Sequence, residues 1–196
     1  MKKYLGILFF VCHFNIEAQG SFPLQKGNIW QYKSQNIPHQ DIDLEAKALG
    51  DTLFSNGKNY TLLSGNLFGT NFFRQEGSKV YGYDKVDSSE YVLLDYSANF
   101  NDTLSRHSKG QRTVVAGGKI LIPENNHPSW LFYERAGTGP VSYVFYSWMI
   151  EDSIGLTSIT IEPGNSWRLS GAIINGKLIG TITGISKENN ILSQKF

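Results

Sequence analysis

Short apolar segments alternate with breaks rich in glycine and asparagine along most of this chain. Two apolar runs on either side of a tight, glycine-containing break are typical of a β-hairpin, since such turns need residues that tolerate positive φ. The pairs of runs are 52–54 with 60–63, 72–74 with 79–83, 114–115 with 119–122, 130–134 with 141–150, and 157–161 with 167–174. An earlier run at 30–34 opens the series. The pattern predicts an antiparallel meander.

For three of these breaks the sequence predicts a particular turn. Asn56-Gly57 suits a type I′ turn, in which both central residues have positive φ. Gly117-Gly118 is expected to reverse the chain between two short strands. Asn175-Gly176 predicts one more tight turn, leading into a strand over 177–182.

Residues 41–49 fit two structures. The Glu, Ala, Lys and Leu side chains of this segment favour a helix. However, apolar Ile42, Leu44 and Ala46 alternate with charged neighbours, and this is the period of a half-buried strand. We expect a strand, because period usually overrides propensity.

The run 141–150 (VSYVFYSWMI) indicates the architecture. Both of its faces are largely apolar, so both are expected to be covered in a central strand. The fold class predicted is therefore all-β with little helix, an antiparallel meander that forms either a sandwich or a closed or half-closed barrel.

The first residues have the layout of a secretory signal peptide, assigned to residues 1–20. A short basic start precedes an apolar run over 4–14, which is shorter than the roughly 20 residues that a membrane-spanning helix needs. Cleavage is expected after Ala18 or Gly20. Residues 21–184 then form a single β-rich domain, and residues 185–196 form a polar tail or linker.

The composition of the chain without the predicted signal peptide excludes several kinds of site. The full chain has 196 residues, a formal charge of +1 and one cysteine, Cys12. Without residues 1–20 the acidic and basic side chains are equal in number and no cysteine remains. A disulfide, a thiolate metal site and a strongly basic nucleic-acid surface are thus excluded, and no transmembrane segment is expected after cleavage.

No catalytic, cofactor or metal residue is predicted. His39, His107 and His127 lack the spacing of a metal pair and are expected in loops or at the surface. The acidic residues at hairpin ends, such as Glu134, Glu162 and the pair Glu151-Asp152, are expected to be solvated. A buried polar cluster with two converging carboxylates would contradict a non-enzymatic domain, and carboxylates about 5 to 10 Å apart across a cleft would favour a glycan hydrolase.

Aromatic residues are abundant, and they suggest a candidate ligand site. Such side chains stack on sugars or line apolar cavities, but they equally fill a β core, and core packing is the more expected role. The candidate ligand-binding residues are Trp130, Phe132, Tyr143, Phe145 and Trp148.

Five stretches together resemble an uncharacterised kind of secreted β domain common in Bacteroidota-type bacteria, often found upstream of a type IX secretion C-terminal sorting domain. They are 22–30 (FPLQKGNIW), 73–83 (FRQEGSKVYGY), 93–104 (LLDYSANFNDTL), 153–156 (SIGL) and 169–180 (LSGAIINGKLIG). The tail 185–196 is similar to a linker leading into such a sorting domain. The resemblance implies a secreted domain and supplies no catalytic residues.

A recurring Asp-Ser/Thr-aliphatic tripeptide resembles the O-glycosylation acceptor of exported proteins in the same bacteria. It marks Thr52, Thr103 and Ser153 as candidate acceptors, although an Asp that caps a turn at a strand start explains the pattern equally well.

The sequence therefore predicts an exported, non-enzymatic β domain that serves as a binding or spacer module, in the periplasm, at the cell surface or outside the cell. Two alternatives remain open: a carrier of lipid or a small apolar ligand, and a glycan-active hydrolase. The sequence does not identify a partner: a glycan and a small apolar molecule are the candidates, and neither a nucleic acid nor a cofactor is expected.

Overall fold

The computed structural model describes residues 20–35, 44–121, 128–137 and 142–183. The predicted signal peptide, apart from Gly20, and the predicted tail lie outside these residues. His39 and His127 also lie outside them, as does the turn between 130–134 and 141–150 over 138–141.

Thirteen strands make up the regular structure of the described residues, and no helix occurs among them. The all-β prediction is confirmed. The strands are β1 Ile29–Ser34, β2 Leu44–Leu53, β3 Asn59–Leu63, β4 Phe72–Glu76, β5 Lys79–Asp84, β6 Ser89–Asp95, β7 Thr103–His107, β8 Arg112–Leu121, β9 Pro128–Ala136, β10 Tyr143–Glu151, β11 Gly155–Ile161, β12 Asn165–Ile174 and β13 Lys177–Gly180.

All strand pairs are antiparallel and form one continuous sheet, in the order β6-β5-β4-β3-β2-β1-β12-β11-β10-β9-β8-β7, with β13 also paired to β12. The two end strands, β6 and β7, come back against each other, and the Ser105 hydroxyl donates to the Val92 carbonyl across the gap at 2.6 Å. The sheet is thus a nearly closed barrel, which decides between the barrel and the sandwich. We call the β6–β7 junction the seam.

The barrel has two ends that matter for the site. At the upper end β5, β7 and β9 finish, while β6, β8 and β10 begin. The N-terminal segment 20–28 lies at the lower end, where Ser153 donates its backbone N–H to the Ser21 carbonyl at 2.9 Å. As predicted, β10 is a central strand, between β9 and β11.

Two turn predictions need correction. At Asn56-Gly57 only the glycine has positive φ, 74°, so the turn is not type I′. Its geometry is set by a backbone hydrogen bond from Gly57 to Phe54 at 2.9 Å. Asn175 and Gly176, with φ of 52° and 76°, do have the type I′ signature.

Gly117-Gly118 does not reverse the chain, contrary to the prediction. β8 runs through both residues, and its register with β9 shifts between Ala116 and Gly118 in a β-bulge. A Cβ on Gly117 would lie 2.6 Å from the ring of Tyr133, so glycine is required by close packing rather than by a turn.

The ambiguous segment 41–49 is a strand over its described part. Leu44 begins β2, and Ala46 and Ala48 face the core as the alternation predicted. Residues 41–43 lie outside the described part of the chain.

Aromatic side chains fill the barrel. Phe22 enters from the N-terminal segment, Phe68 enters from the β3–β4 loop, and their ring centroids are 5.9 Å apart. The largest side chains buried around them are Trp30, Tyr32, Phe73, Phe132 and Trp148. The Trp148 indole N–H donates to the Leu67 carbonyl at 3.3 Å, which ties the β3–β4 loop to β10. The interior is therefore a packed core.

In the part of the chain that the structure describes, no helix has the length and apolar character to cross a membrane.

Candidate functional site

A cluster of charged side chains lies inside the upper end of the barrel, at the seam. Asp84 ends β5, His107 ends β7, Glu134 is near the end of β9 and Arg112 begins β8. The side chains of Asp84, His107 and Glu134 are at most 8% exposed, and that of Arg112 is 30% exposed. We call these four residues the seam cluster.

Both nitrogens of the His107 imidazole face a carboxylate. Nδ1 lies 3.0 Å from Oδ2 of Asp84, and Nε2 lies 2.9 Å from Oε1 of Glu134. The Nε2 contact is close but poorly aligned as a hydrogen bond. Arg112 Nη1 completes the cluster at 3.3 Å from Oε2 of Glu134. Because isolated buried charges are very costly, such a set is stable only when its members pair with one another.

Tyr91 of β6 forms one wall of the cluster. Its ring stacks on the His107 imidazole with centroids 3.9 Å apart and planes 14° apart. Burial raises the pKa of Tyr91, and the negative charges of Glu134 and Asp84 raise it further, with Arg112 opposing them. Tyr91 therefore stays neutral and packs β6 against β7 across the seam.

Asp84 also holds the β7–β8 turn. It accepts hydrogen bonds from the Ser108 backbone N–H at 2.7 Å and from the Ser108 hydroxyl at 2.8 Å. Burial favours the neutral form of Asp84, but the hydrogen bonds from Ser108, His107 and the Val86 N–H outweigh it and lower its pKa to about 2. The Asp84 carboxylate is thus ionised and fully engaged.

The β7–β8 turn is strained at two consecutive residues. Ser108 and Lys109 have φ of 53° and 56°, in the left-handed region that side chains with a Cβ disfavour. The Lys109 N–H donates to both carboxylate oxygens of Asp87, at 2.9 and 3.0 Å. Asp84 at the end of β5 and Asp87 in the β5–β6 connection therefore hold this turn in place across the seam.

The cluster contains two buried carboxylates that converge on one side chain, which is the arrangement expected to contradict a non-enzymatic domain. Asp84 and Glu134, however, lie on opposite sides of the His107 imidazole, and the ring occupies the space between them. An inverting or retaining pair needs that space for the sugar and the water. The two carboxylates are thus not arranged as a glycosidase pair.

A serine nucleophile deserves the same test, since the Ser108 hydroxyl lies 3.2 Å from His107 Nδ1. The Ser108 hydroxyl, however, donates to Asp84 Oδ2 at 2.8 Å, and His107 Nδ1 faces the same oxygen at 3.0 Å. Because a carboxylate only accepts, the imidazole nitrogen next to Ser108 donates to Asp84 and does not accept the serine proton. The geometry favours a charge-paired cluster over a nucleophile with its base.

Several sequence expectations are wrong here. His107 was expected in a loop or at the surface and Glu134 at a solvated hairpin end, but they are 7% and 3% exposed. Glu151 is buried as well, whereas Glu162 is exposed as expected. The sequence missed this cluster because β7, β8 and β9 are neighbours in the sheet, whereas β5 reaches them only when the sheet closes at the seam. No local spacing signals it.

A small surface cleft opens beside the cluster. It has a volume of about 220 Å³, and Asp84, His107 and Ser108 form part of its wall. The remaining wall is largely polar and includes Asn66, Thr70, Asn71, Tyr83 and Lys85. We call it the seam cleft.

A larger cleft of about 580 Å³ lies at the lower end, along residues 21–26. Its other lining residues come from β2, β3 and two turns: Gly50, Asp51, Thr61, Ser153 and Asn175. The N-terminal segment that forms its wall is anchored by Phe22 in the core and by a hydrogen bond from the Ser21 N–H to Asp152 at 2.7 Å.

The structure separates the predicted aromatic ligand residues into two groups. Trp130, Phe132 and Trp148 are core side chains. Tyr143 is 58% exposed, and the half-buried Phe145 ring packs 4.3 Å from the Arg112 guanidinium carbon. The five side chains do not form one platform, and the two clefts described above are not lined by them.

The candidate glycosylation acceptors all lie at the surface. Thr52 is in β2, Thr103 begins β7 and Ser153 is in the β10–β11 turn, and each is exposed. A modifying enzyme could reach each of them.

Comparison with known proteins gives no relative: no protein-family model matches the chain, and no curated protein or solved structure is significantly similar to it. Within the described ranges, no three His, Cys, Asp or Glu side chains are placed to hold a metal ion together.

Proposed function

We propose that this protein is an exported, non-enzymatic β domain that acts as a binding module and takes its ligand at the upper end of the barrel, in the seam cleft. Mouths of β-barrels are a common place for small-molecule sites. The cleft is polar, open to solvent and built against a rigid charged cluster, which suits a preorganised binding surface.

The observation that carries the proposal is the pairing of His107 with two carboxylates. Its two ring nitrogens lie against Asp84 and Glu134, and Asp84 also accepts from the Ser108 hydroxyl. Side chains that are paired with one another in this way form a fixed wall of the seam cleft and do not act as a general base.

The packed interior weighs against the carrier alternative. A carrier needs an apolar cavity large enough to bury its ligand. Here the volume between Phe22, Phe68 and Trp148 is filled by their own ring contacts. A fluorescent apolar probe such as anilinonaphthalene sulfonate should show no saturable binding to the native protein, and stoichiometric binding would favour the carrier.

Turnover assays test the non-enzymatic part of the proposal. The purified protein should hydrolyse 4-nitrophenyl glycosides and 4-nitrophenyl acetate no faster than Ser108→Ala does. A rate that depends on Ser108, or on Glu134 in Glu134→Gln, would contradict the proposal and restore the hydrolase alternative.

Export is tested separately. The full chain, produced with its own N-terminus in a Gram-negative host, should be recovered outside the cytoplasm with the mass of a product cut after Ala18 or Gly20. Uncut protein confined to the cytoplasm would contradict this part.

A further inference from the structure

We propose that the seam cleft binds a small sugar acid, a monosaccharide-sized ligand that carries one carboxylate, and that Lys85 is the residue that pairs with this carboxylate. The proposal rests on the binding function proposed above and gives its ligand class.

The cleft presents hydrogen-bond donors that the fold does not use. Lys85 Nζ has no carboxylate within ion-pair distance among the described residues, and it lies 5.3 Å from the centre of the Phe72 ring. Among the described residues, the side-chain amide of Asn66 and the hydroxyl of Tyr83 likewise have no hydrogen-bond partner. Residues that carry an ammonium, an amide and a phenol line this one cleft, and such groups select a ligand rich in oxygen acceptors.

The balance of charge selects an anion. Asp84 is held by Ser108 and His107, and Glu134 lies against His107 and Arg112, so both carboxylates of the seam cluster already have partners. Lys85 is the cation of the cleft lining that has no carboxylate partner among the described residues. A ligand carboxylate would receive a charge-assisted hydrogen bond from its ammonium group.

Size and polarity narrow the ligand further. A cavity of about 220 Å³ is large for acetate and small for an oligosaccharide. The Asn71 side chain donates to the Leu63 carbonyl at 2.9 Å, which fixes the amide and leaves its oxygen for a ligand hydroxyl. An anion with several hydroxyl groups matches these fixed groups better than an apolar acid.

The rigid wall makes the site preorganised. Thr70 donates to the Tyr83 carbonyl at 2.9 Å, and the Tyr83 ring packs on Phe54 with centroids 4.5 Å apart. Asp84 and Ser108 are held by the contacts described above. Little ordering is then required when the ligand enters.

The test is an NMR titration of the isotope-labelled full-length mature protein with sodium glucuronate, with glucose and sodium acetate as separate arms at equal ionic strength. Amide signals of 66–71 and 83–86 should shift saturably with glucuronate. The affinity obtained from these shifts should be at least tenfold lower for glucose and for acetate. Lys85→Met should weaken glucuronate binding at least tenfold, whereas Lys177→Met, an equal loss of charge on exposed β13, should leave it unchanged.

Each contrary outcome overturns a defined part of the proposal. No saturable shift at the cleft by about 20 mM glucuronate, a concentration that fills a millimolar site, would overturn it whole. Equal binding of glucose would overturn the role of the carboxylate, and equal binding of acetate would overturn the sugar. Unchanged affinity in Lys85→Met would overturn the role of Lys85. In each of these cases, the turnover and apolar-probe assays test separately whether the protein is a non-enzymatic binding module.

Discussion

At the scale of single residues, His107 has the largest consequences. It is buried between Asp84 and Glu134 under the ring of Tyr91, and its two ring nitrogens lie 3.0 and 2.9 Å from carboxylate oxygens that have little access to water. A buried ion pair adds little net stability over a well-packed apolar set, but removal of one partner leaves an uncompensated charge. His107 is therefore a residue whose loss should be costly.

Replacement His107→Ala should lower the free energy of unfolding by about 3–5 kcal/mol, because two buried carboxylates would then face each other. Urea unfolding followed by tryptophan fluorescence measures this change. Arg106→Ala, an exposed neighbour, is the control and should change stability by about 0.5 kcal/mol or less. Adding Glu134→Gln to His107→Ala should recover part of the loss. Equal effects at positions 106 and 107 would contradict the pairing.

Acid should destabilise the protein through two carboxylates. Burial opposes ionisation of Glu90, but hydrogen bonds from Arg74, Lys58 and Tyr60 outweigh it and lower its pKa to about 2, the value also reached by Asp84. Unfolded Asp and Glu titrate near about 3.9 and 4.3. The stabilisation is thus present above the unfolded values and is lost as the pH falls from about 4.5 toward 2.

Urea unfolding at successive pH values should show this loss, and Asp84→Asn with Glu90→Gln should flatten the curve below about pH 4.5. The double variant will also be less stable at neutral pH, so the slope of stability against pH is the quantity compared. A slope as steep as that of the unaltered protein would contradict the assignment.

At the scale of elements, the N-terminal segment shows how an irregular stretch becomes part of the core. Gln75 contacts it with both ends of its side-chain amide: it accepts from the Phe22 N–H at 2.9 Å and donates to the Gly20 carbonyl at 3.0 Å. The backbone is therefore paired as in a strand, although no strand is present. The Phe22 ring then packs with Trp30, Phe68 and Phe73.

Phe22→Ala should lower the free energy of unfolding by about 3–5 kcal/mol, as expected for removal of a buried aromatic ring. Phe100→Ala is a matched control, since Phe100 is 76% exposed, and it should have little effect. Thermal unfolding of both variants gives the comparison. Equal melting temperatures would show that the segment is not part of the folded core.

At the scale of the whole molecule, the strands of the barrel are not equally well paired, because the sheet ends at the seam. β1 and β12 are central and fully paired, whereas β6 and β7 meet through side-chain contacts of Ser105 and Tyr91, and Asp84 of β5 also reaches β7. Backbone groups without a ladder open more easily than those in central strands. The barrel should therefore open first at the seam.

Hydrogen–deuterium exchange should show this order. Amides of β6 and β7 are expected to exchange faster than those of β1 and β12. Asp84→Asn should accelerate exchange in β6, β7 and the start of β8, with little change in β1 and β12. Uniform acceleration would instead indicate global destabilisation and would contradict a locally held seam.

The sequence by itself determined the all-β class, most hairpins and the strand over 44–49, because period, turn residues and apolar runs are local signals. It also favoured core packing for the aromatic residues, and Trp130, Phe132 and Trp148 do lie in the core. It misread Gly117-Gly118, since one dipeptide serves a turn or a bulge and the choice depends on the neighbouring Tyr133.

The tertiary structure alone decided that the sheet curls into a barrel and that a charged cluster lies inside its seam. Asp84, His107 and Glu134 are far apart in the sequence, and each has the local pattern of a polar residue at a strand end. Burial and pairing arise only when β5, β7 and β9 finish at the same end of a closing sheet. Contacts of this kind depend on closure, which no local pattern encodes.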